Sequence, residues 1–218
     1  MMKNIIFDLD GTLWDSRSTL IEAWNSVLDK HQLIEKPLVE DDLTKFMGLL
    51  LPDILPILFP NGTPEQFDLI LKEIIEHECK TLSTKGGIIY EKVEHTLNVL
   101  SKNHDLYIVS NCQDGYIEAF LEFSKFSHFF KDYESAGRTG KNKQENIRLV
   151  LERNELNPEQ TIYVGDTQTD YSSSTANDLN FVFCNYGFGE LDENSKVFAE
   201  INSFDELAKL SVTSQNLV

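Results

Sequence analysis

The sequence predicts an α/β fold, a doubly wound parallel sheet of Rossmann-like form, with a small all-helical cap domain inserted after the first strand. Three observations lead there. Short apolar runs recur along the chain, and a run without polar alternation reads as a strand buried on both faces. Helical patterns separate those runs, which implies parallel pairing with helices on both sides of the sheet. Residues 15–84 carry helical spacing and no strand pattern, so they form an insert. The chain's 218 residues, 41% of them hydrophobic, suffice for one core plus a small second domain. The expected division is 1–14 and 85–210 for the core, 15–84 for the cap, and a loose polar tail over 211–218.

The elements follow in order. Residues 3–10 form the first strand around Ile5, Ile6 and Phe7. Leu20, Ile21, Trp24, Val27 and Leu28 then give a helix over 16–31, with Ser16 placed as its N-cap. Helices over about 40–47, 50–59 and 64–83 complete the insert. The last opens on Thr63-Pro64-Glu65-Gln66, a cap residue, a proline at the first helical position and a capping-box glutamine. Beyond Lys85-Gly86-Gly87 come a helix at 92–102, a strand at Leu106–Val109 and a helix at 114–124. Asn142 and Glu145 have capping-box spacing and start a helix over 142–154. Thr161–Val164 and Asn180–Cys184 are further strands, and a short helix starts at Ser203 to Glu206.

Polar groups collect where these strands end. The first ends in Asp8 and Asp10, two carboxylates one residue apart, followed by Gly11-Thr12. The carboxyl edge of an open α/β sheet is where ligands bind. Two carboxylates there repel unless a cation stands between them, and a divalent ion suits that place. The second strand ends in Ser110-Asn111 and the third in Gly165-Asp166, with Asp170 in the turn after it. Lys141 and Lys143 lie just before or within the first turn of a helix.

These stretches resemble the haloacid dehalogenase superfamily, in particular its phosphatase-like members with a helical cap. The matching residues are Asp8-Leu9-Asp10-Gly11-Thr12-Leu13, Val109-Ser110-Asn111, a lysine within Gly140-Lys141-Asn142-Lys143, and Val164-Gly165-Asp166-Thr167-Gln168-Thr169-Asp170. They occur in the family's order and span about residues 3–190. The resemblance implies a magnesium-dependent phosphatase of the phosphoglycolate phosphatase-like branch, acting on a small phosphorylated metabolite. Asp8 would attack phosphorus and Asp10 would serve as general acid and base. Asp8, the Asp10 backbone carbonyl, Asp166 and, directly or through water, Asp170 would hold Mg2+. Ser110, Asn111 and a lysine would bind the phosphoryl group, with Thr12 behind them. Lys141 fits one family spacing and Lys143 another; the Asn142 cap favours Lys143.

Rival readings are a phosphomutase of the β-phosphoglucomutase type, a dehalogenase, and a silent binding protein on the same scaffold. Dehalogenases of the superfamily need neither an acid at Asp10 nor a metal at Asp166 and Asp170. Substrate choice is expected in the cap, where Phe46-Met47-Gly48-Leu49-Leu50 joins two helices and is either a loop reaching the site or cap core. Trp14, Trp24 and Cys112 read as packing residues, the histidines lack metal spacing, and Gly187-Phe188-Gly189 reads as a structural turn. The formal charge of -17 opposes nucleic acid polymers as partners. Three cysteines without paired spacing fit a reducing compartment, and no leader or membrane pattern is seen. The expectation is a cytoplasmic monomer or homodimer.

Overall fold

A computed structural model describes residues 2–213. β1 (Asn4–Phe7) leads into a two-residue strand β2 (Trp14–Asp15), then helices α1 (Arg17–Lys30), α2 (Glu40–Thr44), α3 (Leu51–Leu58) and α4 (Pro64–Lys85). A second short strand, β3 (Ile88–Ile89), pairs antiparallel with β2. The helical insert therefore hangs from a two-stranded hinge, which the sequence pattern did not reveal. α5 (Val93–Leu100), β4 (Asp105–Ser110), α6 (Tyr116–Ser124), β5 (Phe130–Ser135), α7 (Ala136–Thr139) and α8 (Lys143–Arg153) follow. β6 (Thr161–Gly165), α9 (Gln168–Thr175), β7 (Asn180–Cys184), β8 (Ala199–Ile201) and α10 (Glu206–Thr213) complete the described chain. The first three residues of the expected loose tail, 211–213, continue α10, whereas 214–218 lie outside the described residues.

The main sheet has the order β5-β4-β1-β6-β7-β8, parallel throughout. β1 is central, paired with β4 on one side and β6 on the other. Side chains alternate across it. Ile5, Phe7, Leu106, Ile108, Ile162 and Val164 join the larger apolar cluster. Ile6, Tyr107, Val109, Tyr163 and Phe181 face the opposite cluster, where α8 supplies Ile147, Val150 and Leu151. That period of two, buried on both faces, is why the strands read as unbroken apolar runs.

After β1 the chain builds outward to β4 and β5, then crosses back to β6 on β1's other flank. The loops leaving β1, β4 and β6 diverge at that reversal and leave a crevice at the carboxyl edge. The insert lies over it. α4 is closed at its start by the expected capping box, Gln66 N–H donating to Thr63 Oγ1 at 3.3 Å and Thr63 N–H to Gln66 Oε1 at 2.9 Å. Its buried stripe, Ile70, Ile74, Glu78 and Leu82, follows a strict spacing of four and packs against α1. Ser16 makes no side-chain cap to α1, contrary to expectation, because its hydroxyl is engaged by Asp10. Among the described residues no helix is long and apolar enough to cross a membrane.

Candidate active site

Asp8 follows β1 directly, its N–H donating to the Val164 carbonyl at 2.9 Å. That bond continues the ladder for one residue and fixes where the carboxylate stands. Asp166 and Asp170 come from the end of β6 and the first turn of α9. One carboxylate oxygen from each of Asp8, Asp166 and Asp170 lies within 4.8 Å of the others, and all three residues are buried. Lys143, in the first turn of α8, enters between them and is itself buried. Its Nζ stands 2.9 Å from Asp8 Oδ1 and 2.6 Å from Asp170 Oδ1.

Three buried carboxylates and one ammonium leave two negative charges without a protein partner. The titration behaviour reflects the deficit. Burial and then the Asp170 charge push the Asp8 carboxyl up to about 6. Burial, then Asp170 and Asp8, raise Asp166 well above the usual carboxylate range. Burial opposes the charge on Lys143, but Asp170 and Asp8 outweigh it and hold the ammonium protonated. A divalent cation bound by hard carboxylate oxygens fits this donor set in both charge and chemistry.

Asp166 is held by one backbone and one side-chain donor and by close-packed glycines. Phe188 N–H donates to its Oδ2 at 2.7 Å and Thr12 Oγ1 to its Oδ1 at 3.4 Å. A Cβ on Gly11 (φ +82°) would lie 2.1 Å from Asp166 Oδ2, and one on Gly187 would lie 2.2 Å from its Cβ. Gly187-Phe188-Gly189, expected as a mere turn, thus clamps an acidic residue of the site. Asp170 accepts five hydrogen bonds: from Lys143 and the Tyr163 hydroxyl on one oxygen, and from the Asp166 N–H, the Thr167 N–H and the Thr167 hydroxyl on the other. It belongs to the acidic group but is spent on orienting Lys143 and the turn after β6.

Lys141 and Lys143 separate cleanly. Lys141 lies at the surface beside Glu145, its side chain 42% exposed, while Lys143 is at 1%. Lys141 lies before the Asn142 cap, outside the helix, whereas Lys143 is the first residue of α8 and its side chain enters the site. The Asn142 capping box, present as expected, marks that boundary.

Asp10 turns away from the acidic group toward the insert. Ser16 and Tyr116 (3.0 Å) donate to its Oδ1. Burial raises its carboxyl to about 7. A cavity of about 60 Å³ opens beside Asp8 and Asp10, bordered by Ser110, Asn111 and Lys143 from the core and Phe46 to Leu49 from the insert. The loop after α2 therefore reaches the site. Asn111 Nδ2 donates to the Gly48 carbonyl at 2.9 Å, tying that loop to the end of β4. Burial raises the Cys112 thiol well above its usual range and keeps it protonated.

Tyr116, Gln113 and Glu78 also border this cavity and were not anticipated. Glu78 had a local signal, a carboxylate inside the apolar stripe of α4. It accepts from Trp24 Nε1 and from Gln113 Nε2 (2.9 Å), and burial lifts it from 4.5 to about 8. The folded protein therefore keeps a proton that the unfolded chain loses. This contribution to stability is complete below about 4.5 and disappears as pH rises through about 8. Glu78→Gln should remove that loss. The variant's Tm relative to wild type is expected to climb by about 10 °C between pH 5 and pH 8, read by thermal melts across the range.

The chain matches the family model described as haloacid dehalogenase-like hydrolase over residues 5–184. It is 27% identical over 214 residues to the phosphoglycolate phosphatase of Aquifex aeolicus, covering 96% of each chain. It is 25% identical over 196 residues to a 5'-nucleotidase of Pseudomonas aeruginosa, covering 87% of this chain and 86% of that one. The crystal structure of a predicted phosphatase from Clostridium acetobutylicum superposes with a TM-score of 0.79 at 25% identity, over 98% of this chain and all of that one. With a family match over most of its length, the chain belongs to the haloacid dehalogenase-like hydrolase family.

Proposed function

We propose that this protein is a magnesium-dependent phosphatase that hydrolyses a small phosphomonoester through an aspartyl-phosphate on Asp8. The observation that carries the reading is the buried Asp8, Asp166, Asp170 and Lys143 group, two charges short of neutrality, at the edge of a cavity between core and insert. Residues 1–14 and 85–210 act as the catalytic core and 15–84 as its cap.

Asp8 and Asp166, with the Asp10 backbone carbonyl, would hold the ion, Asp170 standing behind. Bound there, Mg2+ supplies positive charge to the phosphoryl oxygens and lowers repulsion between them and Asp8. A carboxylate oxygen of Asp8 attacks phosphorus as the bond to the ester oxygen breaks. Asp10 gives its proton to the departing oxygen; a carboxyl near 7 is suited to that step at neutral pH. Asp10, now a carboxylate, takes a proton from water, which attacks the acyl-phosphate and frees inorganic phosphate and Asp8. Ser110, Asn111 and Lys143 hold the phosphoryl oxygens in both halves. The cap excludes bulk water during the first half and opens for the second.

The test is phosphate release from a panel of small phosphomonoesters. Release should stop in excess EDTA and return with Mg2+. Magnesium at a hundred times its dissociation constant should stabilise the fold by about 2.7 kcal/mol, visible as a rise in Tm. Release that persists in EDTA contradicts the reading. Sugar-dependent phosphate exchange without net release would identify a phosphomutase instead.

A further inference from the structure

A second, larger cavity lies along the seam between insert and core. Its volume is about 340 Å³, against about 60 Å³ beside Asp8. Leu51, Asn111, Cys112 and Gln113 border both. Three stretches of chain run from the inner cavity to the outer one. The insert loop borders the inner cavity with Phe46 to Leu49 and the outer with Leu50 to Pro52. The segment after β4 borders the inner from Ser110 and the outer as far as Asp114. The approach to α8 places Lys143 at the inner and Lys141 at the outer. The outer cavity therefore continues the same seam away from Asp8. Its walls are mainly apolar, with Leu71 and Ile75 from α4 and Ala136 and Gly137 from α7. Lys141, the cation there, stands 3.6 Å from Glu145, and Asp114 adds a further negative charge, so an anionic group meets no unpaired cation. The inner cavity has room for little beyond a phosphoryl group, so the organic part of an ester must extend along the seam. The outer cavity is of a size that holds a small organic ligand.

We propose that the outer cavity is the leaving-group site and that the substrate is a phosphomonoester of an apolar alcohol, its hydrocarbon lying between α4 and α7 while its phosphoryl group stands at Asp8. The proposal rests on the phosphatase reading and names its substrate class. Leu71 and Ile75 touch no reacting atom in this scheme; they determine which alcohol is accepted. The hydrogen bond from Asn111 to the Gly48 carbonyl crosses the seam beside the shared walls, so the ester enters with the insert raised and that bond broken. Lowering the insert then buries the hydrocarbon against both domains, which ties the apolar gain to the closed state.

The test is an alkyl series of nearly constant intrinsic reactivity, ethyl, butyl and hexyl phosphate, each measured as kcat/KM in the full chain with Mg2+. The expected gain is about threefold per methylene, hence about 80-fold from ethyl to hexyl. A hexyl-to-ethyl ratio of about threefold or less overturns the proposal, since one buried methylene would supply it. Two variants locate the gain. Leu71→Trp fills the outer cavity and Ile75→Asn makes it polar; each should cut the hexyl-to-ethyl ratio by about tenfold, and an unchanged ratio in a folded variant overturns the placement. If neither variant folds, the wild-type series alone decides. 1-Hexanol should inhibit hexyl phosphate competitively; if it instead raises turnover of ethyl phosphate and leaves hexyl phosphate uninhibited, the cavity is a separate effector site and the proposal falls. p-Nitrophenyl phosphate, with its own good leaving group, tells the two failures apart. If it is cleaved in an Asp8-dependent manner while the alkyl series is flat, only the leaving-group site falls; if it is not cleaved, the phosphatase reading falls with it.

Discussion

Asp8→Asn is expected to lower phosphate release from every substrate by about 10⁴-fold or more, because a neutral amide cannot replace the attacking carboxylate. The same substitution should raise the Tm of the metal-free protein. Asp8 is one of three buried carboxylates sharing a single lysine, and its removal relieves repulsion while Lys143 keeps Asp170. The pairing of lost turnover with gained stability distinguishes a nucleophile from a structural residue, whose loss would lower both. Phosphate release and a melt in EDTA, made on one preparation, decide it. Release at even a hundredth of the wild-type rate would remove Asp8 from its role.

Lys143→Met should act in the opposite direction on stability. It removes the one cation among three buried carboxylates and leaves them unpaired. Breaking a buried ion pair from one side costs about 3–5 kcal/mol, a Tm fall on the order of 10 °C for a chain of this size. Turnover should fall by about 10²- to 10³-fold through loss of a preorganised donor at the phosphoryl group. Mg2+ should recover part of the stability, since it brings positive charge to the same carboxylates, but little of the turnover. Melts with EDTA and with Mg2+ separate these effects, and equal Tm loss in both would contradict a shared electrostatic site.

Much of this centre was legible in the sequence because its residues sit at the ends of apolar runs. Ile5 to Phe7 ending in Asp8, and Ile162 to Val164 ending in Asp166, are strand signals with chemistry attached. The phase of the Asn142 capping box favoured Lys143 while leaving Lys141 open, and the structure buries Lys143 and exposes Lys141. What escaped did so for physical reasons. β5 and β8 are the edges of the sheet, short or half-exposed, and edge strands carry polar residues that hide their pattern. β2 and β3 are two residues each, too short for any periodicity. α9 buries Ser173 and Ser174 rather than an apolar stripe, so it has little amphipathic signature. Tyr116 and Gln113 reach Asp10 and Glu78 only through packing between segments distant in the chain.

The central position of β1 has a further consequence, for how the molecule assembles. Asn4 pairs with Asp105 on one flank and with Thr161, 157 residues away in sequence, on the other. During synthesis the segment bearing Asp8 emerges before either neighbour exists, and it waits as an unpaired apolar strand through the whole helical insert and beyond. Such non-local pairing slows folding and leaves a sticky edge exposed meanwhile. Asp8 and Asp10 place charge beside that apolar run, where they oppose premature association of the nascent chain.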